Sequence, residues 1–380
     1  MSYNNLSITN VVNVQVATPP AGLANYQINN LCILTKETPV NGAITAAAPG
    51  IYVSPADVLA DWGVNSETYA QALAVFDQLP NILDGGGSLI VYPMGSGDTL
   101  TAAIAAVSAK LFVGGFLWAG YTPGTPEILL ASAACQAARQ MLGASSYLTS
   151  DLVSPSGLFY QVTAGSLTQT RSFLYTVSAL AARIAVAAYM SRLMSTDFEA
   201  SNSTATMQMK DLVGVQPDAG ITQAVLTACA TVGVDCYANI AGLPKCFSAG
   251  ANDFSDNIYN QNWFVFALEV ALFNCLATTS GKIPQTEPGM AVLRDAAHGI
   301  CQQGVNNGFI APGTWNSSQT IGKPAVMARN IEDVGYYVYT LPVSAQAQAD
   351  RAARKAPPLQ VALKYAGAVH SVNCIVYVNP

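Results

Sequence analysis

The sequence predicts an α/β protein: a mixed, largely parallel sheet with helices on both faces, flanked by extended β arms at the two ends. Two observations carry that expectation. Between residues 30 and 194, short apolar strand-like runs alternate with helix-like segments, the βαβα rhythm that builds parallel sheets. At both ends the period changes to two, the signature of a strand with one apolar face.

At the N-terminal end, Leu6, Ile8, Val12, Val14 and Val16 share one parity, opposed by Ser7, Thr9, Asn13 and Gln15, before Pro19-Pro20-Ala21-Gly22 stops the run. Asn30–Thr35 reads as a buried strand. Ser54 before Pro55 marks a helix start, with a capping hydroxyl and a proline in the first turn. The spacing predicts a helix over Ser66–Leu79 with Tyr69, Leu73 and Phe76 inward. A strand follows at Leu89–Tyr92 after Gly85-Gly86-Gly87, then a helix at Leu100–Lys110 and a strand at Phe112–Trp118. Helices are expected at Pro126–Leu142 and Ala179–Met194, the latter with Leu180, Ile184, Ala187 and Ala188 inward. Short strands are placed at Ser146–Leu148 and Phe173–Val177. Further helices are read at Ile221–Val232, Trp263–Leu276 and Pro288–Asn307. At the far end Val372, Cys374, Val376 and Val378 oppose Ser371, Asn373 and Tyr377. Strand edges must find partners, so the two terminal strands either complete the protein's own sheet or add to a neighbour's.

Composition narrows the function classes. Hydrophobic residues make up 51% of the 380, whereas only 10% are charged, against roughly 25% in an ordinary soluble domain. Such a chain either has its surface covered by neighbours or sits in a membrane. The most apolar stretches, 99–121, 175–194 and 263–276, are interrupted by Lys110 with Gly114-Gly115, by Arg183 and Arg192, and by Glu269, so no membrane insertion is expected. The N-terminal residues Met1–Asn5 lack the basic and apolar regions of a signal peptide. A net charge of −6 argues against nucleic acid as a partner. Residues 323–380 nevertheless hold six basic and three acidic groups, net +3, leaving −9 for the rest. A basic segment on an acidic protein fits an acidic protein partner or a chance cluster on a solvated face.

No catalytic or cofactor set assembles. The eight cysteines (Cys32, Cys135, Cys229, Cys236, Cys246, Cys275, Cys301 and Cys374) contain no C-x-x-C pair, and only His298 and His370 could join them, so neither a metal nor a cofactor is expected. A disulfide among Cys229, Cys236 and Cys246 stays an open reading. Asp295 and His298 share a helical face and form the one acid–base candidate. The Gly85-Gly86-Gly87 and Gly95-Ser96-Gly97 runs lack a phosphate-loop frame and read as turns.

Other residues carry a family resemblance. Asp57-Val58, Trp62-Gly63, Ser66 and Tyr69, followed by Phe76, Gln78 and Pro80, resemble the N-terminal signature of phage tail sheath-like proteins, with Trp62 where phenylalanine is usual. Asn202, Thr204, Thr206, Lys210 and Gly214-Val215 resemble the same family's middle segment. Tyr237, Gly250, Asp256, Asn262-Trp263, Lys282–Thr286 and Asn306–Trp315 follow in the family's order, and Ala356–His370 resembles its close.

The resemblance implies a non-enzymatic subunit of a contractile tail sheath in a phage virion, assembled in the host cytoplasm as stacked hexameric rings around a tail tube. The implied partners are further copies of itself, the tail tube protein, and baseplate and tail terminator proteins. It implies that the terminal strands (Leu6, Ile8, Val12, Val14 and Val16; Val372, Cys374, Val376 and Val378) are exchanged between subunits. It further implies that a helix over Ser344–Lys355 presents Arg351, Arg354 and Lys355 to the tube. The expected division is an N-terminal arm (1–25), an outer α/β subdomain (26–195), an inner subdomain (196–356) and a C-terminal arm (357–380). The rival readings are a non-contractile tail or capsid component, a secreted adhesin, and an α/β enzyme using Asp295 and His298.

Overall fold

A computed structural model describes residues 27–315, 328–372 and 374. The N-terminal alternating strand therefore lies outside the described residues, as do Val376 and Val378. The chain begins with β1 (Leu31–Thr35), β2 (Gly50–Tyr52), α1 (Pro55–Trp62), α2 (Glu67–Phe76), β3 (Leu89–Pro93), α3 (Leu100–Ser108), β4 (Gly115–Ala119) and α4 (Thr125–Ala138). It continues through β5 (Met141–Ser146), α5 (Ser150–Val153), α6 (Leu158–Ala164), β6 (Thr170–Leu174), α7 (Ala179–Leu193), α8 (Gln223–Val232), β7 (Asp235–Ile240) and β8 (Leu243–Phe247). The last part holds α9 (Ser255–Thr278), α10 (Glu287–Asn306), α11 (Ala328–Val334), β9 (Tyr336–Thr340), α12 (Gln348–Ala352) and β10 (Leu359–Leu363).

Eight strands form one sheet in the order β2-β3-β1-β4-β5-β6-β7-β8. The inner strands β3 to β7 run parallel, and antiparallel pairs close both edges. The expected α/β class is thus present, and the sheet takes strands from both sides of residue 195. Sheets covered on both faces demand strands apolar on both faces. In β1, Leu31 and Ile33 enter one core with α2, α7 and α9, while Cys32 and Leu34 enter a second with α3, α4 and α6. The β7–β8 hairpin turns on Ala241 and Gly242, with φ of 52° and 83°, the two left-handed residues of a type I′ turn.

Local chemistry sets the boundaries. Ser54, Ser66, Thr99, Ser178, Thr222 and Thr286 each cap a helix by accepting a backbone N–H in the first turn. The helix expected to run to Leu142 stops at Ala138 because Arg139 turns left-handed (φ 53°) and Gln140 N donates to Cys135 O. Met141 is thereby released into β5, earlier than the strand expected at Ser146–Leu148. Two inward assignments are corrected as well. Leu73 is exposed, since α2 buries Thr68, Gln71, Ala72 and Val75 instead. Leu180 is exposed in the first turn of α7, whose buried residues run from Ala182 to Leu193.

Residues 255–365 build a second layer on the first core. The helices α9 and α10 pack against each other, Trp263 stacks on Phe198 at 4.6 Å, and the two-stranded sheet β9–β10 lies on α10 through Tyr336 and Val338. Arg294 on α10 donates to Thr340 Oγ1 at 2.7 Å. Among the described residues, all eight cysteines are free thiols, and all but Cys275 and Cys374 are buried. No helix of the described residues is long and apolar enough to cross a membrane.

Candidate functional site

Segments that lie far apart in sequence meet in one strap. Residues 202–215 leave α10's end, where Asn202 N donates to Asn306 O and Thr204 N to Asn307 O, at 2.9 and 3.0 Å. Thr206 Oγ1 then meets His370 Nε2 at 2.8 Å. Further on, Met209 N donates to Cys246 O and Cys246 N returns a bond to Lys210 O, joining the strap to β8. Finally Gln78 accepts from Val213 N and donates to Val213 O, both at 3.0 Å. The residues of the family resemblance are therefore mutual partners: the strap sews the C-terminal layer, the tail and the sheet body together.

The C-terminal chain follows a defined path to that strap. The β9–β10 pair is antiparallel, with Leu359 opposite Thr340 and Leu363 opposite Tyr336. Beyond β10, Tyr365 bridges to Ile310 and packs on Phe309 at 4.9 Å. His370 then meets Phe254 edge-on at 4.5 Å. The neighbouring Asp256 carboxyl is pushed up by burial, against the pull of His370. Past this point Val372 is 85% exposed, and Cys374 is exposed with no strand assigned.

The hairpin tip between β9 and β10 carries the expected basic cluster. The helix anticipated over Ser344–Lys355 is confined to Gln348–Ala352, because Gln346 and Ala347 are extended and separate it from a 3-10 turn at Val343–Ala345. Arg354 ends it with φ 56°. Arg351, Arg354 and Lys355 are all exposed. Lys355 pairs loosely with Asp350 at 3.4 Å, and among the described residues no ion pair engages Arg351 or Arg354. Only the base of the tip is anchored: Val343 N donates to Glu287 Oε1, and Gln285 and Gln346 both donate to Lys355 O.

The structure does not bring the acid–base candidates Asp295 and His298 together. His298 lies beside Tyr336, ring centroids 5.7 Å apart, and no hydrogen bond or ion pair joins it to Asp295 among the described residues. In open α/β sheets, ligands bind where neighbouring strands send their connections opposite ways, here at the carboxyl ends of β1 and β4. The chain's own Glu37 fills that place. Its carboxylate accepts from Glu67 N, Thr68 N and Thr68 Oγ1 at 2.8, 2.8 and 2.7 Å, occupying the N-terminus of α2 as an anion would. Gly120 makes room, since a Cβ there would fall 2.6 Å from Glu37 Cγ. Arg183 is committed to Glu67 by a two-pronged contact of 2.5 and 3.0 Å.

Comparison with known proteins agrees with this picture. Residues 255–378 match the family described as E217 tail sheath protein gp31-like, C-terminal domain. No curated protein matches the chain. Among solved structures, a sheath tail protein from Desulfitobacterium hafniense superposes with a TM-score of 0.55 at 8% identity, over 93% of this chain and 100% of that one. At that identity the likeness is one of fold. Residues 255–378 are thus similar to the tail sheath gp31-like C-terminal domain, on a chain whose fold is similar to that of a sheath tail protein.

Proposed function

We propose that this chain is the repeating structural subunit of a contractile tail sheath, forming stacked hexameric rings around a tail tube in the virion. In this reading the sheath contracts to drive the tube through the host envelope, after assembly in the host cytoplasm with baseplate and terminator proteins at its ends. The observation that carries the reading is the sheath-family domain at residues 255–378 within a sheath-like fold over nearly the whole chain. Several features support it. The low charged fraction suits a subunit enclosed by neighbours. The sheet β9–β10 has two strands, too few to be stable alone, and among the described residues its further backbone pairing is the Ile310–Tyr365 bridge just past β10. The alternating terminal segments are of the kind that complete such edges by strand addition. The exposed tip with Arg351, Arg354 and Lys355 suits an acidic tube wall. Exposed ion pairs contribute about 0–1 kcal/mol each, so such contacts break readily as the sheath rearranges.

Electron microscopy of the expressed protein tests the assembly: striated cylinders are expected, and a persistent monomer in the presence of its tube would refute it. The double substitution Arg351→Glu/Arg354→Glu is expected to abolish assembly on tubes while leaving the circular dichroism spectrum and melting temperature unchanged. Normal sheathing by that variant would remove the tube-contact role.

A further inference from the structure

The helix α8 lies thinly on the body. Cys229 is the one residue it buries fully, helped by the partly buried Val225, Ala228 and Val232. Gly233, at φ 76°, ends the helix, and Val234 N donates to Cys229 O at 3.0 Å, so the chain folds straight back into β7. Register then fixes where the thiols point. In the parallel β6–β7 pair Cys236 lies opposite Leu174, and Leu174 and Cys229 belong to the same core. Strand partners share a face of the sheet, so Cys236 faces Cys229, and the two thiols hydrogen-bond. Cys246 lies opposite Tyr237 on the β7–β8 hairpin, and both enter the core on the other side of the sheet. Of the three neighbouring cysteines, the sheet brings one pair together. The Cys229 contact and burial push the Cys236 thiol well up, which keeps it protonated and slow to react while α8 is seated. A surface helix held by so few buried groups opens locally at low cost, and opening frees both thiols.

We propose that Cys229 and Cys236 form a redox site that closes to a disulfide when the chain meets a small-molecule disulfide oxidant, pinning the last turn of α8 to β7. One cysteine sulfur attacks the oxidant's S–S bond, giving a mixed disulfide and one free thiolate, and the second cysteine then displaces the other half. The Cys229–Cys236 bond forms, the oxidant's S–S bond breaks, and the two cysteine protons pass to the two released thiols. The cysteines lose two electrons and the oxidant gains them. Since β7 meets β6 at two residue pairs and carries β8, to which the strap is joined, the bond anchors that edge of the sheet. The site rests on the fold and not on the sheath reading.

Oxidised glutathione tests it, applied to the full folded chain at about pH 8, followed by maleimide alkylation in denaturant, trypsin and mass spectrometry. Cleavage after Lys210 and Lys245 yields a peptide, 211–245, that holds Cys229 and Cys236 and no other cysteine. That peptide is expected unlabelled and two hydrogens lighter than its reduced form, and dithiothreitol should restore double labelling. Cys246, on the next peptide, should stay alkylated. Hydrogen exchange over residues 223–234 is expected to slow about tenfold on oxidation, and unchanged exchange would overturn the pinning of α8. A peptide still doubly labelled, a bond from either thiol to Cys246, a bond between two chains, or closure seen only in urea would each overturn the proposal. The wild-type peptide decides the matter without any variant.

Discussion

The sheet body and the C-terminal layer solve the same problem differently. In the body, β1, β4 and β6 are buried at every residue, and two cores sandwich the sheet. Even the crevice at the β1–β4 switch is filled by Glu37. In the C-terminal layer, β9 alternates buried and half-buried residues, β10 has one fully buried residue, Ala362, and α9 exposes Phe273 and Leu276. The body closes two cores around its sheet, while it also exposes Leu79, Leu130 and Val153. The C-terminal layer holds the two-stranded sheet and is the part with a sheath-family match; in the reading proposed above, its strand edges take partners from neighbouring copies. In the proposed reading, the difference assigns assembly chiefly to the C-terminal layer, which the body holds in place.

Substitutions can break or sharpen that contrast. The largest effect is expected for Phe173→Ala in β6, which is fully buried and packs on Tyr189 at 5.1 Å. It should cost about 3–5 kcal/mol in urea unfolding, and a cost near zero would contradict a self-sufficient body.

Next comes Asp235, buried where β7 meets the start of α9. Its carboxylate accepts from Tyr189 Oη and from Ala249 N, and Tyr189 Oη also lies 2.9 Å from Ser255 Oγ. Burial raises its pKa from 3.8 to about 6, partly opposed by Arg171. The folded state thus holds the proton more tightly than the unfolded state. This contribution is complete below pH ~4 and is lost as pH rises through about 6, about 3 kcal/mol in all. Urea titrations at pH 4.5 and 7.5 should differ by about 2 kcal/mol of that total, and Asp235→Asn should flatten the difference.

Glu37→Ala uncaps α2 and should cost about 1–2 kcal/mol by thermal melting. The smallest effect on folding is expected from Val361→Pro. Lys364 N donates to Gly335 O, so by alternation the N–H groups of Gln360 and Ala362 face β9 while that of Val361 points outward. Removing it breaks no bond within the β9–β10 pair and, with the Val361 side chain half-buried against the first core, should cost the monomer no more than about 1 kcal/mol yet prevent cylinders in electron micrographs. Cylinders of normal length would show that this edge is not used.

What could be read from the sequence follows from range. The strand β1, the cap at Ser54, and the helices α3, α8 and α10 rest on local periodicity and capping chemistry, and their positions were legible. Arg139 was not: an arginine in the left-handed region is set by the need to turn into β5, which no local rule signals. Leu73 and Leu180 fit a helical stripe, but the sheet, not the stripe, decides which face is covered. The edge hairpin β7–β8 escaped because its turn, Ala241-Gly242, lacks the asparagine or aspartate that marks a type I′ loop. At the candidate site the basic residues Arg351, Arg354 and Lys355 were legible as a charge imbalance. The role of Glu37 was not, because its partners Glu67 and Thr68 are thirty residues away. Likewise Thr206 and His370 meet across 164 residues.

The strap has a mechanical consequence. A pull on the tail at His370 is received by Thr206, and from there the load divides toward Asn306-Asn307, Cys246 and Gln78. Force entering at one thread is thus spread over a helix end, a strand edge and a second helix at once. In the sheath proposed above, a subunit tethered in this way would be dragged by its neighbours as one block, with the load on its tail shared among three anchor points.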